Sequence, residues 1–171
     1  NISARRMALP ELPEEDFIAS LVDLVRADGH WVPSGEGESL YLRPFVFASA
    51  AFLGVRAADV VDYYVIASPS GAYFTGGLKP ISIWVSQNFH RAGRGGTGFA
   101  KTGGNYASSL LPQQEAAAKG CDQVCFLDDV TERNLEELGG MNIMVVDHDG
   151  TVRTPHLTGT ILEGSTRSAI I

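Results

Sequence analysis

The sequence is short of the residues that would mark several kinds of protein. Its 171 residues include two cysteines, Cys121 and Cys125. In CDQVC they are not a CxxC pair, and no second pair of ligands accompanies them, so neither a disulfide framework nor a zinc site has support. They read as small reduced core residues that would share one face of a strand. His30, His90, His148 and His156 are scattered singly through loop-like segments and offer no metal site. Basic residues are also few, 13 against 20 Asp and Glu, for a net charge of -7. With no basic block to follow a phosphate backbone, nucleic acid is not an expected partner. The longest apolar runs, such as FVFASAAFLGV (45–55), fall well short of a membrane span, and the N-terminus lacks the shape of a signal peptide. The expectation is a soluble, cytoplasmic protein, with 44% apolar residues to build one domain or two small ones.

What is present reads as helices interspersed with hairpins. Pro13 precedes EEDFIASLVDLVRADG, where acids fill a first turn and Phe17, Leu21, Leu24 and Val25 recur at helical spacing. The pattern predicts a helix over 13–28, with Gly29 able to cap it. SLYLRPFVFAS (39–49) reads as a strand with Tyr41, Arg43 and Phe45 on one face, and 62–69 and 81–86 as further strands. Between these last two, GAYFTGGLKP (71–80) is a glycine-rich connector and the expected domain boundary, with residues 1–70 before it and 81–171 after. HRAGRGGTGFAKTGG (90–104) is too rich in glycine for regular structure. The following helix is expected to start near Ser108 or Ser109, placing Pro112 in the tolerant first turn, and to run to about Lys119. CDQVCFLDD and NLEEL are strands, MNIMVV-DHDG-TVRTP is a hairpin with an Asp-Gly turn, and LEGSTRSAII turns into a helix. The fold class is α+β, or mixed α/β.

The chemistry concentrates around FAKTGGNYASSL (99–110). Gly93, Gly95 and Gly98 match GxGxxG, but no helix follows at once, and Gln113 stands where a dinucleotide fold needs an acid. A Walker A loop fails as well, because Ala100 separates Lys101 from the glycines. A lysine held by flexible backbone can serve as a nucleophile, and its best-known covalent use is an imine to a carbonyl cofactor such as pyridoxal phosphate. That cofactor needs a carboxylate at its ring nitrogen, a donor to its phenolic oxygen and N–H groups for its phosphate. Glu137, Tyr106 and the turns at Gly139-Gly140 and Gly164-Ser165-Thr166 are candidates for these tasks. Each has a plainer alternative. Lys101 could be a solvated charge, Tyr106 a core aromatic at a helix start, Glu136 and Glu137 both surface residues, and GSTR merely an N-cap.

KTGGNYASSLLPQQEAAAKGCDQVCFLD, then EELGGMNI, then TPHLTGTILEGSTRSAI, resemble the branched-chain amino acid aminotransferases, fold-type IV enzymes that use pyridoxal 5'-phosphate. ESLYLRPFVFAS and SPSGAYFTGG extend the resemblance over nearly the whole chain. It implies a fold-type IV architecture, with residues 1–70 part of a small N-terminal domain and 81–171 part of the cofactor domain. It implies that Lys101 is the Schiff-base lysine, Tyr106 the partner of the phenolic oxygen and Glu137 the partner of the ring nitrogen. Gly140, Ser165 and Thr166 would contact the phosphate, and Arg91 would lie near the cofactor. Tyr41, Arg43, Val55 and Tyr73 would surround a substrate pocket for leucine, isoleucine and valine. The implied reaction is amino exchange between these amino acids and 2-oxoglutarate, giving glutamate, in a homodimer.

Two departures accompany the resemblance. Glu163 stands where many relatives have proline before the glycine, which alters the turn's rigidity but not its backbone donors. Family members are also roughly twice this length, so the chain is expected to be a central piece, lacking the arginine that clamps the phosphate. Other fold-type IV activities, a D-amino acid aminotransferase or an aminodeoxychorismate lyase, would share Lys101 and Glu137; SLYLRP favours the branched-chain enzymes. A non-catalytic fragment is the alternative from a different class.

Overall fold

The computed structural model describes residues 1–71 and 79–171. Most of the expected connector and the candidate Tyr73 lie outside the described residues. The chain divides into two compact units, Asn1–Lys79 and Pro80–Ile171.

The first unit opens with a short helix not anticipated from the sequence, α1 (Ile2–Arg6). It is tied down by the Asn1 side chain, which donates to the Leu12 carbonyl at 2.9 Å and accepts from the Leu12 amide at 3.1 Å. α2 (Glu14–Ala27) follows Pro13, with Glu14, Glu15 and Asp16 in the first turn facing the positive end of the helix dipole. Phe17, Leu21, Leu24 and Val25 form its half-buried stripe. Its C-terminus departs from the expected glycine cap: Asp28 ends the helix and a 3₁₀ turn, Gly29–Trp31, continues it. β1 (Ser39–Ala48) and β2 (Val61–Ser70) pair antiparallel from Ser39↔Ser70 to Ala48↔Val61. The period of two places Leu40, Leu42, Pro44 and Val46 on the half-buried face, and the Ser20 hydroxyl of α2 lies 2.9 Å from that of Tyr63. On the other face Tyr41, Arg43, Phe45 and Phe47 stand exposed.

In the second unit β3 (Ile83–Val85) pairs parallel with β4 (Gln123–Leu127), and β4 antiparallel with β5 (Leu135–Leu138). Two helices lie between β3 and β4, α3 (Gly103–Ala107) and α4 (Leu110–Ala118). α4 starts beside Ser109 and keeps Pro112 in its first turn, where a missing N–H costs nothing. α3 corrects the expectation of a loop to residue 104, since Gly103 and Gly104 form its first turn. Ala116 of α4 packs on Val124 and Phe126 of β4, with Trp84, Phe89 and Cys121 around them. Emptying the fully buried Phe126 position would cost about 3–5 kcal/mol. Both cysteines are free; Cys125 is buried and Cys121 precedes β4.

β6 (Val145–Val146) and β7 (Val152–Arg153) make the expected hairpin, shorter than the sequence suggests. Its turn needs Gly150, whose φ of +85° is strained for any side chain. α5 (Ser165–Ile170) closes the chain. Among the described residues no helix is long and apolar enough to cross a membrane.

Candidate active site

The loop between β3 and α3 carries Lys101, and buried polar groups give that loop its shape. Asn105, on α3 and 3% exposed, uses its whole amide: Nδ2 donates to the carbonyls of Thr97 and Ala100, both at 2.8 Å, and Oδ1 accepts from the Thr97 hydroxyl at 2.8 Å. Gly98 is required by contact, because a Cβ there would stand 2.3 Å from the Thr160 carbonyl oxygen. The loop is therefore pinned at Thr97, Gly98 and Ala100, the last itself buried. Lys101 emerges from it exposed, with Nζ donating to the Tyr106 hydroxyl at 2.7 Å and lying 5.2 Å from the centre of that ring. Gly140 lies against the same ring, since a Cβ on it would touch Tyr106 Cε1 at 3.5 Å.

Glu136 and Glu137, neighbours on β5, are both buried, so the reading of the two as surface residues is wrong. An ionised carboxylate in such a place needs cationic and hydrogen-bonding partners. Glu137 has them: Arg91 Nη1 at 3.1 Å, the Leu162 amide at 3.1 Å, and Asn142 Nδ2 at 3.4 Å. Burial pushes the Glu137 carboxyl above its ordinary value, and Arg91, the Leu162 amide and Lys101 act in the opposite direction. Arg91 is only 4% exposed, and Nη1 also meets the carbonyls of Gly98 at 3.2 Å and Thr160 at 3.1 Å. Its Nε has no acceptor among the described residues.

Asn142 joins this carboxylate to the turn before α5. Its Nδ2 donates to the Leu162 carbonyl at 2.9 Å, and its Oδ1 approaches Gly164 so closely that a Cβ there would be 2.2 Å away. Gly164 is followed by Ser165 and Thr166 in the first turn of α5.

Glu136 takes the other face of β5. It accepts a hydrogen bond from the Thr160 hydroxyl, which lies 2.7 Å from that of Thr158. It helps line a cleft of about 680 Å³ with Arg94, Asp128, Arg133 and His156, a space that does not include Lys101, Tyr106 or Glu137. Burial is the main force raising the Glu136 carboxyl, opposed chiefly by the Thr160 hydroxyl.

Of the residues singled out in the sequence, Lys101, Tyr106, Gly140, Arg91, Glu137, Ser165 and Thr166 all belong to the second unit; contacts join Lys101, Tyr106 and Gly140, and Arg91 with Glu137, while Ser165 and Thr166 follow Gly164 in the chain. Tyr41, Arg43 and Val55 belong to the first unit. Arg43 Nη2 is 3.4 Å from the Tyr41 hydroxyl, and Val55 is fully exposed in the connection between β1 and β2. Asn105, Asn142 and Thr160 are the structural partners that sequence reasoning missed. The first two stand inside the KxGGNY and ExGxMN runs, and a polar residue embedded in a glycine-rich motif is a signal that could have found them. Thr160, in HLTGTIL, carries no such signal.

A family model described as amino-transferase class IV matches residues 1–171. A probable branched-chain-amino-acid aminotransferase of Streptomyces coelicolor is 57% identical over 170 residues, covering 99% of this chain and 47% of the relative. Among solved structures, a branched-chain aminotransferase of the archaeon Thermoproteus uzoniensis, crystallised with norvaline, matches with a TM-score of 0.81 at 27% identity, over 99% of this chain and 54% of the other. The branched-chain amino acid aminotransferase of Escherichia coli matches with a TM-score of 0.77 at 30% identity, over 99% and 54%. A further solved branched-chain amino acid aminotransferase, from T.th. and holding pyridoxamine 5'-phosphate, matches with a TM-score of 0.79 at 30% identity, over 99% and 53%. The chain spans about half the length of the curated relatives it matches.

Proposed function

Because the chain belongs to the class IV aminotransferases, we propose that the protein uses pyridoxal 5'-phosphate to exchange an amino group reversibly between leucine, isoleucine or valine and 2-oxoglutarate. The observation that carries this reading is a buried carboxylate, Glu137, held on a cationic and hydrogen-bonded mount in the same unit as the Lys101–Tyr106 pair. Fold-type IV architecture and relatives named for this activity support it.

The residues fit the cofactor. Lys101 is exposed, as a lysine that is to carry the cofactor must be, and its Nζ donates to the Tyr106 hydroxyl. Glu137 Oε2 is taken up by Arg91 and Leu162, whereas Oε1 has a single long contact among the described residues, from Asn142, and keeps acceptor capacity for a protonated ring nitrogen. Gly140, Ser165 and Thr166 would offer backbone N–H groups to the phosphate. When bound, pyridoxal phosphate supplies a carbonyl that condenses with amines and a ring that accepts electrons from the substrate α-carbon.

Each residue then has a task of its own. Lys101 would hold the cofactor through Nζ and, once neutral and freed by the substrate amine, the same Nζ would carry a proton from the substrate α-carbon to the cofactor's aldehyde carbon. Tyr106 orients Nζ through the 2.7 Å contact. Arg91 opposes the burial that favours a neutral Glu137, and so favours the carboxylate that a protonated ring nitrogen would need. Tyr41, Arg43, Val55 and Tyr73 would line the substrate side, a role that rests on the resemblance. So do the division into a small domain (1–70), a connector (71–80) and a cofactor domain (81–171), and assembly as a cytoplasmic homodimer.

The test is chemical labelling of the full-length protein carrying these residues. It should be yellow, and borohydride should fix the cofactor to Lys101. A label on Lys79 or Lys119, or a protein that retains no cofactor, refutes the reading.

A further inference from the structure

We infer that Glu136 is a positioning residue: by gripping the Thr160 hydroxyl it fixes the Thr160–Leu162 segment, which sets both the Glu137 carboxylate and the loop bearing Lys101. The inference rests on the cofactor site proposed above.

Adjacent residues of a strand point to opposite faces, so Glu136 and Glu137 reach around β5 from two sides. Both take hold of the same three residues. Glu136 binds the Thr160 side chain, and Glu137 accepts from the Leu162 amide at 3.1 Å. Between these anchors the segment's main chain makes the contacts that matter to the site. The Thr160 carbonyl accepts from Arg91 Nη1 at 3.1 Å, and the same Nη1 reaches Glu137 at 3.1 Å. That carbonyl also sits where a Cβ on Gly98 would be, three residues before Lys101. The Leu162 carbonyl accepts from Asn142, which in turn contacts Glu137 and Gly164. Thr160 is 1% exposed and Glu136 5%, so both partners of the bond are buried.

Removing the Glu136 carboxyl leaves the buried Thr160 hydroxyl with only the Thr158 hydroxyl as a partner, and the segment without its hold on β5 at that face. What Glu136 supplies to Thr160 is an acceptor oxygen, Oε1, and accepting a hydrogen bond does not require charge. Burial, Asp129 and Asp128 all favour its neutral form, against the Thr160 hydroxyl and the Arg91 guanidinium, and Arg94, Arg133 and His156 share its cleft. An uncharged acceptor of the same shape should therefore serve as well.

Three variants of the full-length holoprotein test this: Glu136→Ala, Glu136→Gln and Thr160→Val. Two readouts report on the site rather than on folding: the dissociation constant of pyridoxal phosphate from titration of the apoprotein, and the pH midpoint at which the bound cofactor's visible absorbance changes. Glu136→Ala and Thr160→Val should weaken cofactor binding by roughly 10-fold or more, as loss of an outer hydrogen-bonding partner commonly does, and move the midpoint. Glu136→Gln should leave both at wild-type values. If Glu136→Ala does not fold, Thr160→Val, which keeps the side-chain volume and the carbonyl, carries the comparison. Variants with a lowered melting temperature but unchanged cofactor affinity and midpoint would show a structural role only and overturn the inference. A wild-type protein that binds no pyridoxal phosphate would overturn the functional reading itself, a result separable from unresponsive variants of a cofactor-binding parent.

Discussion

The exposed face of the β1–β2 hairpin and the buried face of β5 treat their functional candidates in opposite ways. On the hairpin, Tyr41 is 51% and Phe47 43% exposed, and the rings of Phe45, Phe47 and Tyr64 stack on one another with centroids 5.8–6.1 Å apart. On β5, Glu137 is 2% exposed and meets Arg91, Leu162 and Asn142. A charge that must stay in one place and one protonation state needs a dry, hydrogen-bonded mount. A surface that meets substrates of several shapes needs apolar area and a few adaptable polar tips instead. The difference separates a buried, hydrogen-bonded mount, proposed to hold chemistry, from an exposed aromatic face, proposed to meet substrate.

The largest effect should come from the chemical side. Lys101→Ala in the full-length protein is expected to lower turnover by about 10⁴-fold or more, the upper end of what a proton-transfer group contributes, because covalent attachment is lost too. Steady-state assay with leucine and 2-oxoglutarate measures it, and an active Lys101→Ala protein sinks the assignment. Next is Arg91→Ala. It leaves Glu137 buried without a cation, and loss of one partner of a buried pair costs about 3–5 kcal/mol. Urea unfolding reads this directly, and an unchanged unfolding free energy would mean that the β5 site is not the rigid half of the contrast.

The two regions were also unequally legible in the sequence. The hairpin could be read from its alternation, because local period alone decides which face Leu40 and Tyr41 take. α2 was equally plain in the spacing of Phe17, Leu21 and Leu24. α3 was not: two glycines at a helix start contradict local propensity, and the helix exists because the Asn105 side chain closes the preceding loop. In the site, the candidate residues came from KxGGNY and ExGxMN, with Glu137 proposed over Glu136. The mount was not legible. Arg91 meets Thr160 across 69 positions and Glu136 meets Thr160 across 24, and such pairings follow from tertiary packing rather than from any local pattern.

Acid titration gives the third effect. The Glu136 and Glu137 carboxyls are both raised above their ordinary 4.5 by burial, so the folded state binds their protons more tightly than the unfolded chain does. By linkage they subtract from stability above their raised values, and that cost is relieved as pH falls toward 4.5. Asp128 has the opposite sign. The amides of Asn134 and Thr131 hold it below its ordinary 3.8, so its contribution is present above 3.8 and is lost in stronger acid. Glu136→Gln should therefore make unfolding free energy fall less steeply as pH rises from 4.5, by at most about 1.4 kcal/mol per pH unit for one proton. Urea unfolding across that range checks it, and an unaltered slope would mean that Glu136 does not titrate differently on folding.

The smallest stability effect belongs to the hairpin. Arg43 lies 5.3 Å from the Tyr41 ring centre, and the exposed pair can be worth no more than about 1 kcal/mol. Arg43→Ala should leave the unfolding free energy within that margin of wild type, since no buried group loses a partner. Its effect should appear in recognition instead, as a raised KM for branched-chain substrates with kcat little changed, the pattern of lost binding shared by ground and transition states. An unchanged kcat/KM would remove Arg43 from the substrate side, and a fall in kcat as large as that of Lys101→Ala would place it with the chemistry of β5 rather than with the recognition surface.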